Sequence, residues 1–369
     1  MKRKSCYRAL ILTTAISMVQ ATAAQAAGTI AGTSVQNTAT VNFSVGGVGQ
    51  TPVNSNTASF LVDRRVNLTV SEDGAVTTSV SPGSVDRVTK FILSNTTNDT
   101  LDFSLGAAQD AGGTAAHGGT DNFNATNVRV LVDNVSGGGT VGIYDPGIDT
   151  LTYVDELAAD TTRAIFVLVD IPIARVNGDI AGVTLTATAA GGGLAATQGA
   201  DLTQTVGANT AGVDTLFDDA AGDTDALRDG KSSDDDDYTV SAATITLTKT
   251  SRIISDPVRG VTNPLVIPGA LLEYCIEVAN TGSAPATSIA FSDTLSVDVT
   301  WAAVSQNFRV GGAVAGTCDD TGTVEDDDAA GADETDPNGG SHLAGVVNAT
   351  LPSVAASTTT TVKFRVTVD

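Results

Sequence analysis

Ile267-Pro268-Gly269-Ala270-Leu271-Leu272-Glu273-Tyr274-Cys275-Ile276-Glu277-Val278-Ala279-Asn280-Thr281-Gly282 holds a turn, a strand and a second turn in one short run. Proline presets φ and glycine accepts φ > 0, so Pro268-Gly269 opens the segment as a turn. Leu272, Tyr274, Ile276 and Val278 then share one face, while Glu273, Cys275 and Glu277 share the other. That period of two marks a strand with one buried side. Asn280-Thr281-Gly282 ends it with residues at home in turns. The same alternation recurs in Ala39-Val41-Phe43-Val45, in Ala58-Phe60-Val62 and in Val362-Phe364-Val366-Val368. Thr, Val, Ala, Gly, Ser, Asn and Asp dominate, which is strand and turn material poor in helix formers. The reading is all-β: short antiparallel strands joined by turns into sandwiches.

The order of elements occurs twice. Ser81-Pro82-Gly83-Ser84-Val85 leads to a strand over 89–93, then Asn95, a polar turn and Leu101-Asp102-Phe103-Ser104-Leu105. Ile267-Pro268-Gly269 leads to Tyr274–Val278, then Asn280, a polar turn and Ile289-Ala290-Phe291-Ser292-Asp293. Asp160-Thr161-Thr162 and Thr358–Thr361 precede the corresponding last strands. The repeat predicts two homologous domains, at 64–190 and 240–369. Residues 191–239 read as an acidic Gly/Ala/Asp-rich linker or loop, and 27–63 as an N-terminal β-strand arm. At about 37 residues the arm is too short to fold alone. It either adds strands to the first sandwich, the expected arrangement, or pairs with another chain.

Pro268-Gly269, Tyr274, Ile276, Val278, Asn280, Gly282, Ala286, Ile289, Phe291, Asp293 and Leu295 resemble the bacterial conserved-repeat domain of unknown function eleven. The resemblance covers the second repeat well and the first loosely. It implies immunoglobulin-like sandwiches and an exported cell-surface protein, and it implies nothing about catalysis. Cys275 stands where that family more often has threonine, and Ser296 where proline often follows.

At the amino end, Lys2, Arg3, Lys4 and Arg8 precede an almost wholly apolar stretch from Ala9 to Val19. Ala24-Gln25-Ala26 then forms a small-x-small cleavage pattern, so residues 1–26 are expected to be a removed signal peptide. The apolar stretch is shorter than the roughly 20 residues a membrane helix needs. No membrane span is therefore expected in the mature chain. The net charge of −23 becomes more negative when the leader and its four cations leave. Such acidity excludes a nucleic-acid partner and suits a solvated surface or one that collects cations.

Cys6 leaves with the leader, so Cys275 and Cys318 remain, and an exported pair is expected to form a disulfide. It would close a loop of about 43 residues and contribute about 3–4 kcal/mol. Two acidic clusters are the candidate chemistry. One runs from Asp214 to Asp237 and the other through Asp319, Asp320, Glu325–Asp328, Asp333, Glu334 and Asp336. Carboxylates on Gly-containing loops are calcium ligands by type, and Asp218, Asp219, Asp223, Asp225 and Asp229 are the expected set. The alternative is a solvated linker, because neither run has the spacing of a known calcium loop. Calcium is the one cofactor the sequence raises.

His117 and His342 lie in Gly- and Asp-rich turns and are expected to be surface histidines without catalytic roles. No nucleophile elbow or phosphate loop accompanies them, and no catalytic residue is assigned. Trp301 is expected in the second core. These readings rank a non-catalytic structural or adhesive surface protein first, with cell-surface components or further copies of itself as partners. A secreted or periplasmic glycan- or protein-binding module comes next, and would need an exposed apolar patch. A hydrolase comes third, and would need a rigid convergent acidic pocket.

Overall fold

The computed structural model describes residues 28–303, 307–313, 321–326, 328 and 337–369. The predicted leader and Cys318 lie outside these residues. Among the described residues the chain is all-β, with no helix long and apolar enough to cross a membrane.

The arm forms a ribbon paired with itself. Ser34–Asn37 pairs with Ala58–Leu61, Thr40–Val41 with Val53–Asn54, and Ser44–Val45 with Val48–Gly49. Gly46 and Gly47 close the hairpin at φ 60° and 82°, the double positive φ that a tight two-residue turn demands. The expected addition to the first sandwich does not occur, since no ribbon strand pairs with either sandwich sheet.

The first sandwich contains β1 (Leu68–Glu72), β2 (Arg87–Asn95), β3 (Leu101–Gln109), β4 (Thr126–Val132), β5 (Tyr153–Leu157), β6 (Thr161–Asp170), β7 (Ile180–Gly191) and β8 (Lys231–Val240). One sheet runs β4-β6-β2-β1. The other runs β5-β3-β7-β8 and ends on the short strand Thr78–Val80. Phe91, Leu93, Ile165 and Val167 from the first sheet meet Phe103, Val183, Leu185 and Tyr238 from the second in one core.

The segment expected to be a linker is therefore corrected. Thr215–Phe217 pairs with Arg64–Val66, and Lys231–Val240 is a full strand beside β7. The sandwich extends to Val240, past the predicted boundary at 190. Phe217, Tyr238 and Val240 sit in its core, and the Tyr238 hydroxyl donates to the Val167 carbonyl across it at 2.8 Å. Charge hid the strand in the sequence, because four consecutive aspartates mask the apolar residues that follow.

The second sandwich follows with only residues 241–244 between. It contains β9 (Ile245–Ser255), β10 (Leu271–Asn280), β11 (Ala286–Thr294), β12 (Phe308–Gly312), β13 (Gly339–Leu343), β14 (Val346–Val354) and β15 (Thr358–Val368). Its sheets run β9-β10-β15-β12-(Thr323–Glu325) and β11-β14-β13. The core gathers Leu272, Ile276, Val278, Phe308, Val310, Val347, Leu351, Val362, Phe364 and Val366, with Tyr274 and Trp301 packed against it. Trp301 meets Phe308 edge-on at 5.7 Å and stacks on His342 at 4.6 Å. His342 is thus a strand residue against the core and not the expected surface-turn histidine.

The duplication is a matter of topology as well as sequence. The order β4-β6-β2-β1 matches β12-β15-β10-β9, and β5-β3 matches β14-β11. Asn95 and Asn280 do the same work in each repeat. The Asn95 amide donates to the carbonyls of Asp99 and Leu157, and its oxygen accepts from the Thr97 amide. The Asn280 amide donates to Ala284 and Val354, and its oxygen accepts from Gly282. Gly83 and Gly269 also correspond, at φ 73° and 83°: Gly83 donates to the Ile171 carbonyl just past β6, and Gly269 to the Val368 carbonyl at the end of β15.

Cys275 faces away from the core as expected and is buried. It is disulfide-bonded. On the same face Glu273 is almost fully enclosed and accepts from Arg252 Nε at 2.7 Å and Arg365 Nε at 2.9 Å, with Lys363 Nζ at 4.0 Å. A buried carboxylate needs such cationic partners.

Candidate functional site

Four aspartates of β8 lie opposite β7 in the register Asp234–Leu185, Asp235–Thr184, Asp236–Val183 and Asp237–Gly182. Because successive residues alternate faces, Asp234 and Asp236 point to the core side with Tyr238, near the rim. Asp235 and Asp237 point outward. Thr78–Val80 pairs only with Tyr238–Val240, so the aspartates lie beyond the reach of that short strand and other groups cover them. From β1, the Glu72 amide donates to Asp234 Oδ2 at 2.5 Å. The Val70 amide donates to the Ser232 hydroxyl at 2.9 Å.

The turn 115–119 crosses the same rim. Ala115 is buried, and Gly118 and Gly119 take φ 93° and 84°, which lets the chain reverse tightly. The turn presents His117. Its Nε2 lies 3.1 Å from Asp236 Oδ1 and 3.5 Å from Glu72 Oε1. Its backbone amide donates to Asp237 Oδ2 at 2.9 Å. The side chains of Glu72, His117 and Asp236 are 12%, 19% and 2% exposed. One ligand atom from each falls within 4.8 Å of the others. Asp237 is fully buried, and its Oδ1 has no hydrogen-bond partner. Burial, with the charge of Glu72, pushes the Asp236 carboxyl up to about 7 against the pull of the Asp237 amide and His117.

A second group, Asp223, Asp234 and Asp235, also converges. The Asp235 carboxyl is pushed up to about 6 by burial and then by the charge of Asp223. Asp234 is raised for the same first reason. Nearby, Thr184 Oγ1 donates to Asp110 at 2.6 Å, and a Cβ on Gly182 would stand 2.2 Å from Asp110 Oδ2. Glycine at 182 makes room for that carboxylate.

Of the five aspartates expected to bind calcium, only Asp223 belongs to a converging group. Asp219 is buried and accepts the amides of Asp229 and Gly230, both at 3.0 Å. Asp225 accepts from the Gly222 amide at 3.0 Å and the Ser233 hydroxyl at 2.5 Å. Asp229 accepts the amides of Ala226 and Lys231 at 3.3 and 3.0 Å. Asp218 lies 3.8 Å from Arg65. These carboxylates brace their own loop, because short acidic side chains satisfy nearby backbone donors readily. The expected calcium set is not assembled.

Sequence reading missed Glu72, His117 and Asp236. They lie far apart in the chain, and the parity of β8 became a signal only once it was a strand. The clefts beside this region, lined by Asp110, Asp121, Phe123 and Arg175 and by Leu68, Val70, Gly222 and Asp234, do not include the trio. The second cleft is lined by Asp223 and Asp234, two members of the other converging group.

Two strand features complete the picture. In the first repeat β3 is flanked by β5 and β7, whereas its counterpart β11 pairs, among the described residues, with β14 alone. The ribbon carries the cross-strand apolar pairs Val35–Phe60, Val41–Val53 and Val45–Val48. Val41, Phe43 and Phe60 are 55%, 45% and 64% exposed.

No protein-family profile matches the chain, and no curated protein is significantly similar. Among solved structures the chain is similar to the C-terminal domain of the AgI/II polypeptide BspA of Streptococcus agalactiae. There the TM-score is 0.30 at 10% identity, over 83% of this chain and 91% of that one. It is also similar to a putative membrane anchored protein of Corynebacterium diphtheriae, with a TM-score of 0.19 at 10% identity over 91% and 89% of the two chains.

Proposed function

We propose that this is an exported, non-catalytic structural and adhesive protein of the bacterial cell surface that joins copies of itself by strand addition. The carrying observation is the contrast between equivalent strands. β3 is flanked on both sides, and β11, among the described residues, is paired on one side only. An open edge offers unpaired amides and carbonyls to an incoming strand. The N-terminal ribbon of a second copy is the occupant, since it is made of strand, is anchored at one end and leaves its apolar residues in water. Exposed apolar surface of this kind marks an interaction site. The acidic loops keep the rest of the surface hydrated, and in the first of them Asp219, Asp225 and Asp229 already serve backbone donors. The conserved-repeat resemblance of the second sandwich agrees with this reading.

The test is sedimentation and electron microscopy of the mature chain over a range of concentrations, beside a Val41→Lys/Phe60→Lys variant. Concentration-dependent oligomers or filaments are expected from the parent and not from the variant, with unchanged circular dichroism. A parent that stays monomeric throughout would overturn the proposal. Equal assembly by the variant would do the same. The binding-module reading rests on the same exposed phenylalanines and would appear as a monomer that coats a foreign surface.

A further inference from the structure

We infer that Glu72, His117 and Asp236 hold a single divalent first-row transition ion of the zinc type, clamping β1, the 115–119 turn and β8 together. The spacing carries the inference first. In tetrahedral zinc sites the bonds to nitrogen and oxygen are about 2.0–2.2 Å, which sets neighbouring ligand atoms roughly 3.3 Å apart. The two contacts of His117 Nε2, 3.1 Å to Asp236 and 3.5 Å to Glu72, bracket that distance.

The donor set argues next. One imidazole with two carboxylates suits zinc and its neighbours. Calcium wants six to eight oxygens, and here a nitrogen is central. A third argument is the shell behind the ligands. Asp237 is fully buried and holds the His117 backbone through one carboxylate oxygen, while its other oxygen has no partner. By accepting that amide Asp237 fixes the turn that presents His117. Glu72, Asp236 and Asp237 also leave this corner with three carboxylates around one imidazole, an excess of negative charge that a dication offsets. The trio is nearly closed to solvent, which makes the ion a structural one.

The inference is independent of self-assembly. It is tested on the whole mature chain purified without a histidine tag, stripped with chelator, then dialysed against Zn²⁺, Co²⁺ or Ca²⁺ separately. One retained Zn²⁺ or Co²⁺ per chain is expected, with a melting temperature higher by on the order of 5 °C at saturation. Ca²⁺ should give neither effect. The chain has two histidines, so imidazole NMR of the parent assigns the ligand without any variant. His117 should shift on Zn²⁺ addition and His342 should not. Glu72→Gln and His117→Asn should each lower the affinity at least tenfold. No stoichiometric retention would overturn the inference and leave His117 as an ordinary hydrogen-bonded histidine between two acids. A shift at His342 alone would also overturn it.

Discussion

Asn95 and Asn280 show how little sequence is needed to fix a fold locally. Each amide group stitches the end of one strand to the turn after it and to a strand of the facing sheet. Neither has an apolar substitute, because removing it leaves several buried backbone groups without partners. Asn280→Ala is expected to destabilise the second sandwich by about 2–3 kcal/mol, the usual cost of stranding buried polar groups. Asn95→Ala should cost the first sandwich a similar amount. Urea midpoints, with unchanged slopes, measure both; a loss below about 0.5 kcal/mol would mean that water replaces the amide. Both asparagines, and both Pro-Gly turns, were visible in the sequence as a repeated order of elements. His117 was not, because its meaning depends on partners 45 residues before it and 119 after it in the chain.

At the scale of the element, β8 is the instructive case. Lys231–Val240 looked like solvated linker, and the arm looked like strands that would join the first sandwich. Both expectations weighed local composition and could not weigh what covers an edge. In β8, carboxylates take up amides of β1, of the 115–119 turn and of the strand itself, so polar residues do the pairing that a longer neighbour would have done. The arrangement has a pH signature. Asp235 and Asp236, raised to about 6 and about 7, hold protons in the folded chain that the unfolded chain has already released above its ordinary carboxylate range near 3.8. Stability contributed by these groups is therefore full near pH 4 and is lost as pH rises through about 6 and then about 7. Asp170 and Asp256 act oppositely. Backbone amides, first those of Asp86 and Arg259 respectively, lower their pKa, so their contribution is lost as pH falls below the ordinary range. With chelator present, the melting temperature should peak near pH 4–5 and decline towards pH 7. Asp236→Asn should flatten that decline, and an unchanged slope in the variant would remove Asp236 as its source.

For the whole molecule, the two cores share no residue, and side-chain contacts at their junction run through Asn177, Ser241 and Ser283. Cores that do not interpenetrate unfold as separate units. Phe364→Ala, which empties the middle of the second core, should lower that sandwich's transition by the 3–5 kcal/mol typical of a buried phenylalanine. The transition of the first sandwich should stay in place in the calorimeter. Simultaneous loss of both transitions would show one cooperative body. The tandem all-β plan could be read from the sequence because alternation and turns are local. The boundary at 190 could not, because a repeat argument finds only what both copies contain. The described residues of the second repeat include no counterpart of β7 or β8.

The segment from Leu68 to Val80 runs beside β8 in the same direction. Val70 meets Ser232, Glu72 meets Asp234, and Thr78–Val80 pairs in parallel with Tyr238–Val240. These are the first and last strands of the sandwich. A pull on its two ends drags them lengthwise past each other, so the bonds between them are loaded together and must fail together. They cannot be opened one at a time like a zipper. A protein anchored at one end and held at the other would meet drag with its strongest geometry, and the acidic corner that joins Glu72 to Asp236 lies directly across the line of shear.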